Sequence, residues 1–135
     1  MPEFNQGDAM PELRVTPDKY LPHRYAGASG DFNPIHIDPE FARAVGLPQN
    51  ILHGLYSMAQ VSRAALAAAG DDPRALRRLS VQFRGMGVPE QEICVTGKVE
   101  AAEGDGVRLS LEAEQAETKI IRNAEAELDL GVAGN

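Results

Sequence analysis

Alternation of apolar and polar positions separates this chain into three zones. From about residue 74 onward the pattern has a period of two. Leu79, Val81 and Phe83 alternate with Ser80, Gln82 and Arg84, and Ile93, Val95 and Val99 alternate with Cys94, Thr96 and Lys98. Val107, Leu109, Leu111 and Ala113 follow the same rule, and the run from Ile120 to Leu130 keeps Ala124, Ala126, Leu128 and Leu130 on one side. Such runs predict half-buried antiparallel strands with one face on a core. Gly54 to Ala69 has helical spacing instead, through Leu55, Met58, Ala59, Ser62, Ala65, Leu66 and Ala69, and stops at Gly70. Arg63 is its only charge, so the helix is expected to be wrapped by other structure. A buried helix ahead of four amphipathic strands predicts an α+β layer in which the sheet wraps the helix.

Residues 1 to 50 are rich in Gly, Pro, Asn and Asp and read as short elements joined by loops. Glu12 to Val15 fits an edge strand. Thr16 before Pro17 and Asp18 has the form of a helix start. Pro22 argues that this helix restarts or kinks there, ending before Gly27 and Gly30. Asp38 followed by Pro39 predicts a second short helix that ends at Gly46.

With 135 residues the chain is read as one domain over 1–135. A formal charge of −7 argues against a nucleic-acid partner, because phosphate neutralisation needs a basic surface. Cys94 is the single cysteine, which excludes an intrachain disulfide. As a nucleophile it has no base nearby in sequence. No apolar stretch approaches membrane-spanning length, and the first residues lack the basic-then-apolar order of a signal peptide, so a cytoplasmic location is expected.

The densest polar chemistry lies in Gly30-Asp31-Phe32-Asn33-Pro34-Ile35-His36-Ile37-Asp38-Pro39. Asx residues beside proline and glycine favour turns for local reasons alone. His36, five residues after Asp31, adds a second possibility. Water addition to a double bond needs a base for the water proton and an acid for the carbon. A carboxylate and an imidazole on a proline-stiffened loop can fill both roles around one water.

The run YAGASGDFNPIHIDPEFA, from Tyr25 to Ala42, resembles the signature of MaoC-like dehydratases and (R)-specific enoyl-CoA hydratases. The likeness extends to GDAMPELRVT near the N-terminus and to His53-Gly54 at the start of the long helix, and weakens after about residue 90. Within that family it looks most like the catalytic subunits of actinobacterial (3R)-hydroxyacyl-ACP dehydratases. The resemblance implies a single hot-dog domain with its sheet around a long central helix. It also implies a dimer, homomeric or with another hot-dog subunit, with active sites between subunits. The activity implied is reversible hydration of trans-2-enoyl-CoA or enoyl-ACP, with no cofactor beyond the carrier of the substrate. Asp31 and His36 become the catalytic pair, and Asn33 orients the water or the carboxylate. Gly54 is the expected backbone N–H donor to the thioester oxygen, against an alternative role in close helix packing. His53 reads as a helix-start or packing histidine and His23 as a surface residue. Some relatives carry a serine at the position of Ala59; Ser57 and Ser62 lie nearby, without an assigned role.

Rival readings remain within and outside that family. A thioesterase would place a carboxylate on the long helix, and Gly54 to Ala69 has none. A hot-dog subunit that binds an acyl thioester without catalysis would be expected to lack Asp31 or His36. His36, Asp38 and His53 make up a two-histidine, one-carboxylate set of the kind that binds iron, but too little strand precedes the motif for an oxygenase scaffold. Arg74, Arg77, Arg78 and Arg84 form a basic cluster. It is read either as a contact for coenzyme A phosphates or an acidic carrier protein, carried by Arg77, Arg78 and Arg84, or as a solvated strand edge paired with local acids.

Overall fold

The computed structural model describes residues 4–134. Five antiparallel strands form one sheet in the order β1-β3-β4-β5-β2: β1 (Leu13–Val15), β2 (Leu76–Phe83), β3 (Ile93–Glu103), β4 (Gly106–Gln115) and β5 (Thr118–Asp129). Helices α1 (Leu21–Ser29), α2 (Pro34–Ile37), α3 (Pro39–Ala44) and α4 (Gly54–Ala67) all precede β2. The long helix α4 touches all five strands, so the sheet curls around it as the pattern predicts.

Alternation in β3 and β4 is read out faithfully. Ile93, Val95 and Val99 face inward, and so do Val107, Leu109, Leu111 and Ala113. Each fully buried Ile or Leu contributes about 1.5–3 kcal/mol by leaving water. In β5, register shifts against β4 around Ala113 place Ile120 and Ile121 both inside, which strict alternation forbids. Leu130 lies beyond the strand, in a closing 3-10 turn. β2 starts at Leu76 and carries two register shifts against β5, and Phe83 at its end is exposed.

The apolar stripe of α4 is rotated from the expected one. Tyr56, Ser57, Gln60, Val61, Ala64 and Ala65 are buried, whereas Leu55 and Ala59 are exposed. Both faces of this helix are rich in small or apolar residues, so spacing alone does not select one. Gln60 is accommodated inside because its amide bonds the Tyr56 carbonyl and accepts from Arg63. The alanines at 64 and 65 let the sheet approach closely.

Before α4, the caps differ in detail from expectation. Thr16 caps nothing; Asp18 accepts from the Tyr20 amide, and Pro22 occupies the first turn of α1, where its missing N–H costs nothing. Gly27 lies inside α1, which ends at Gly30 in the left-handed conformation (φ 81°). Asp38 caps α3 through Glu40 and Phe41, as its place before Pro39 predicts. The Pro34–Ile37 stretch, expected as loop, is the single helical turn α2, with Asn33 as its N-cap.

Gln115, at the end of β4, is the main brace of the β2–β3 loop. Its buried amide accepts from Val88 N–H at 2.8 Å and donates to the carbonyls of Val88 (2.8 Å) and Gln91 (3.0 Å). Among the described residues no helix is long and apolar enough to cross a membrane. Gln115→Leu strands three backbone groups, so urea denaturation is expected to show a loss on the order of 1–3 kcal/mol.

Candidate active site

His36 sits in α2 with its side chain buried, and three hydrogen bonds hold the side chain and its turn. Its Nδ1 lies 2.8 Å from the Ile51 carbonyl, its own carbonyl accepts from Asn50 Nδ2 at 2.9 Å, and Ile51 N–H donates to the Ile35 carbonyl at 2.9 Å. A carbonyl only accepts, so Nδ1 carries the proton in the neutral ring and Nε2 is bare. Nε2 faces Asp31, at 3.8 Å from Oδ2. That gap exceeds a direct hydrogen bond, but a water with two legs of about 2.8 Å closes the triangle.

Asp31 stands at the rim of the site, its side chain 54% exposed. Asn33 N–H donates to its Oδ1 at 3.2 Å, and Asp31 N–H donates to Ser29 Oγ at 3.2 Å. Asn33 therefore orients the carboxylate through its backbone. Its side-chain oxygen is engaged in capping α2, accepting from Ile35 N–H at 3.1 Å.

Gly54 opens α4, and its amide is one of the first-turn donors without an intrahelical acceptor. It lines a cavity of about 160 Å³ together with His36, Ser57, Leu52, Phe83 and Met86. A Cβ at Gly54 would lie 3.2 Å from the Phe83 ring, so close packing and access to the amide both favour glycine here. His36 and Gly54 thus line one cavity, and Asp31 faces His36.

Ser57, Phe83, Met86 and Asn50 were not assigned to the site by sequence. Ser57 is one helical turn beyond Gly54 and is buried with the cavity beside it, a position that knowledge of the buried face would have revealed. Nothing in the local pattern marks Asn50.

Asp38 is committed to capping α3 and does not join His36 and His53. Asp31 takes that place, with ligand atoms of Asp31, His36 and His53 all within 4.8 Å. The two imidazoles are stacked, centroids 4.0 Å apart and planes 19° apart. In-plane lone pairs of stacked rings run side by side and do not converge, so this donor set does not fit a chelated ion.

Arg77 lies near Asp129 (3.2 Å) and Arg78 near Glu127 (4.0 Å), while Arg74 is paired with Asp72. Arg84, six residues or more along, bonds Gln82 next to the cavity end of β2. The structure separates Arg84 from the others. His23 is exposed, with Nε2 3.1 Å from the Ile37 carbonyl. Burial pushes the Cys94 thiol up, away from the thiolate a nucleophile needs.

Residues 5–121 match the family model described as "MaoC like domain". The chain belongs to this family. Over 131 residues it is 35% identical to the fatty acid synthase beta subunit hexB of Dothistroma septosporum, covering 95% of this chain but 7% of that protein. It is 40% identical over 73 residues to the peroxisomal enoyl-CoA hydratase 2 of Arabidopsis thaliana, covering 53% of this chain and 23% of the relative. The chain thus spans only a small part of these relatives' length. Among solved structures, the R-hydratase PhaJ1 of Pseudomonas aeruginosa superposes with a TM-score of 0.82 at 24% identity, covering 94% of this chain and 82% of that one. The hot-dog fold follows from that likeness and from the sheet around α4.

Removing the Asn33 cap is expected to loosen the turn that carries both side chains. Asn33→Ala should lower stability by about 0.5–2 kcal/mol in thermal or urea denaturation.

Proposed function

We propose that this chain is an (R)-specific enoyl-thioester hydratase, adding water to trans-2-enoyl-CoA or enoyl-ACP and, in reverse, dehydrating the (3R)-hydroxyacyl thioester. The observation that carries this reading is the opposition of bare His36 Nε2 and Asp31 Oδ2 at a water-sized spacing beside a cavity. Family membership and the name of the Arabidopsis relative support it.

In the hydration direction, the bridging water lies against the β-carbon. His36 Nε2 takes one of its protons while the oxygen bonds the β-carbon. Electrons of the double bond move to the thioester oxygen, where the Gly54 N–H at the positive end of α4 meets the developing charge. The proton held by the Asp31/His36 pair then passes to the α-carbon, completing the addition of one water. Carboxylate and imidazole share this proton work as a coupled pair.

The acyl group enters the cavity between α4 and the β2–β3 loop, whose walls are mostly apolar. Exposed Phe32, Leu55, Phe83 and Met86 are site residues or their chain neighbours, an apolar rim suited to a second hot-dog subunit. We read the working unit as a dimer, homomeric unless a second subunit is supplied, acting in the cytoplasm. Arg84, at the cavity end of β2, is better placed than Arg77 or Arg78 to meet an anionic carrier.

Purified protein is expected to consume trans-2-enoyl-CoA, seen as loss of conjugated-thioester absorbance. Asp31→Asn and His36→Ala should each lower the rate by about 10²–10⁴. Near-normal turnover in both variants rules the mechanism out. Gly54→Ala should change stability by less than about 1 kcal/mol, because the small gain in helix propensity is offset by the tight 3.2 Å contact of the new methyl with Phe83. Its turnover should nevertheless fall, because the added methyl presses Phe83 toward the cavity.

A further inference from the structure

We propose that His53 is a positioning residue for the Asp31–His36 pair, holding the Asp31 backbone and the plane of the His36 ring at once; this rests on the hydratase reading above. His53 is 3% exposed and stands at the N-cap of α4, yet its side chain makes no capping bond. The usual reason for a polar residue at that place is therefore missing. Its Nε2 instead lies 3.0 Å from the Asp31 carbonyl, which makes Nε2 the protonated nitrogen. One face of its ring covers His36 at 4.0 Å, and the Tyr25 ring packs nearby at 4.7 Å.

The remaining nitrogen, Nδ1, is buried without a hydrogen-bond partner among the described residues. A histidine serving only to fill space would carry that desolvation cost for nothing, and an apolar side chain of similar size would avoid it. The cost is accounted for if the Nε2–H is needed at Asp31. With it, the Asp31 backbone is held on both sides of its Cα, by Ser29 Oγ accepting from its N–H and by His53 donating to its carbonyl. The same ring limits rotation of His36 about its side-chain bonds. As the residue next to Gly54, His53 also ties the carboxylate and the imidazole to the helix N-terminus that meets the thioester oxygen. Displacements near 1 Å at such a site cost orders of magnitude in rate, so fixing these three parts to one side chain has a catalytic consequence.

Two substitutions separate the hydrogen bond from the packing. His53→Phe keeps the ring stack and loses the donor; His53→Gln keeps an amide donor near the place of Nε2. Enoyl-CoA hydration should show kcat reduced by about 10–100-fold in His53→Phe. Its KM should stay within about twofold of wild type, because the acyl cavity is untouched. His53→Gln restores the donor without the stack, so it should recover part of that kcat and stay below wild type. Equal losses in the two variants, or a His53→Phe kcat within about twofold of wild type, overturn the proposal. Nitrogen-15 NMR of the unsubstituted protein supplies a readout that needs no turnover. A neutral His53 ring protonated at Nε2 is expected, and a ring protonated at Nδ1 overturns the proposal. Absence of turnover in the wild type would refute the hydratase reading, and the NMR result still decides whether His53 holds Asp31.

Discussion

The site depends first on the hydrogen bond from His36 Nδ1–H to the Ile51 carbonyl. It does two things at once. It assigns the tautomer, leaving Nε2 as an acceptor toward Asp31. It also joins the motif turn to the segment that leads into α4, fifteen residues later in the chain. Two further bonds, Asn50 Nδ2 to His36 O and Ile51 N–H to Ile35 O, make this junction a three-point clasp. Rotation of the imidazole would break one of the three and leave the part-buried Ile51 carbonyl without this partner.

The opposite wall of the cavity is built on different terms. Between β2 and β3 the chain passes close to its neighbours at Gly85 and Gly87. A Cβ would come within 2.9 Å of the Lys119 carbonyl oxygen at the first and 3.0 Å of Leu52 at the second. These glycines let the loop close onto β5 and the α4 entrance, and the Gly87 carbonyl accepts from Leu52 N–H at 2.8 Å. Gln115 then holds the far part of the loop from below. Met86, between the two glycines, is presented to the cavity by backbone that has little freedom to move away.

How much of this was legible follows from what each signal encodes. β3 and β4 were readable because one face meets the core and the other water, which writes burial directly into alternation. The register shifts in β2 and β5 break that code, so the inward turn of both Ile120 and Ile121 and the exposure of Phe83 were not. In α4, Leu55 on one side and Tyr56, Val61 and Ala65 on another leave the stripe undetermined until the sheet is in place. Asp31 and His36 were singled out by their spacing and by the resemblance of the surrounding run to a family signature, and the structure sets them 3.8 Å apart. Asn50 and Ser57 were not, since their roles come from contacts with chain that is distant in sequence or from a helical face that spacing did not select. His53 gave the opposite difficulty: it was noticed, but what sets it apart is a bond from Nε2 to the Asp31 carbonyl and an unpartnered Nδ1, neither of which spacing encodes.

The division of burial between the two central side chains has its own logic. His36 is enclosed, so a proton taken from water would create a charge in a region of low polarisability. Asp31, half in solvent at 3.8 Å, supplies the compensating negative charge without itself being carried into the interior. A pair with both members buried would meet a large desolvation cost before any substrate arrived. A pair with both exposed would interact weakly through water. In the hydratase we propose, seating an acyl thioester over the rim would displace solvent from the carboxylate as the imidazole gains its proton, so their attraction would strengthen when the transition state needs it. In that reading the rim position of Asp31 is part of the chemistry: its backbone is held on both sides, by Ser29 and His53, while its carboxylate stays open to a substrate.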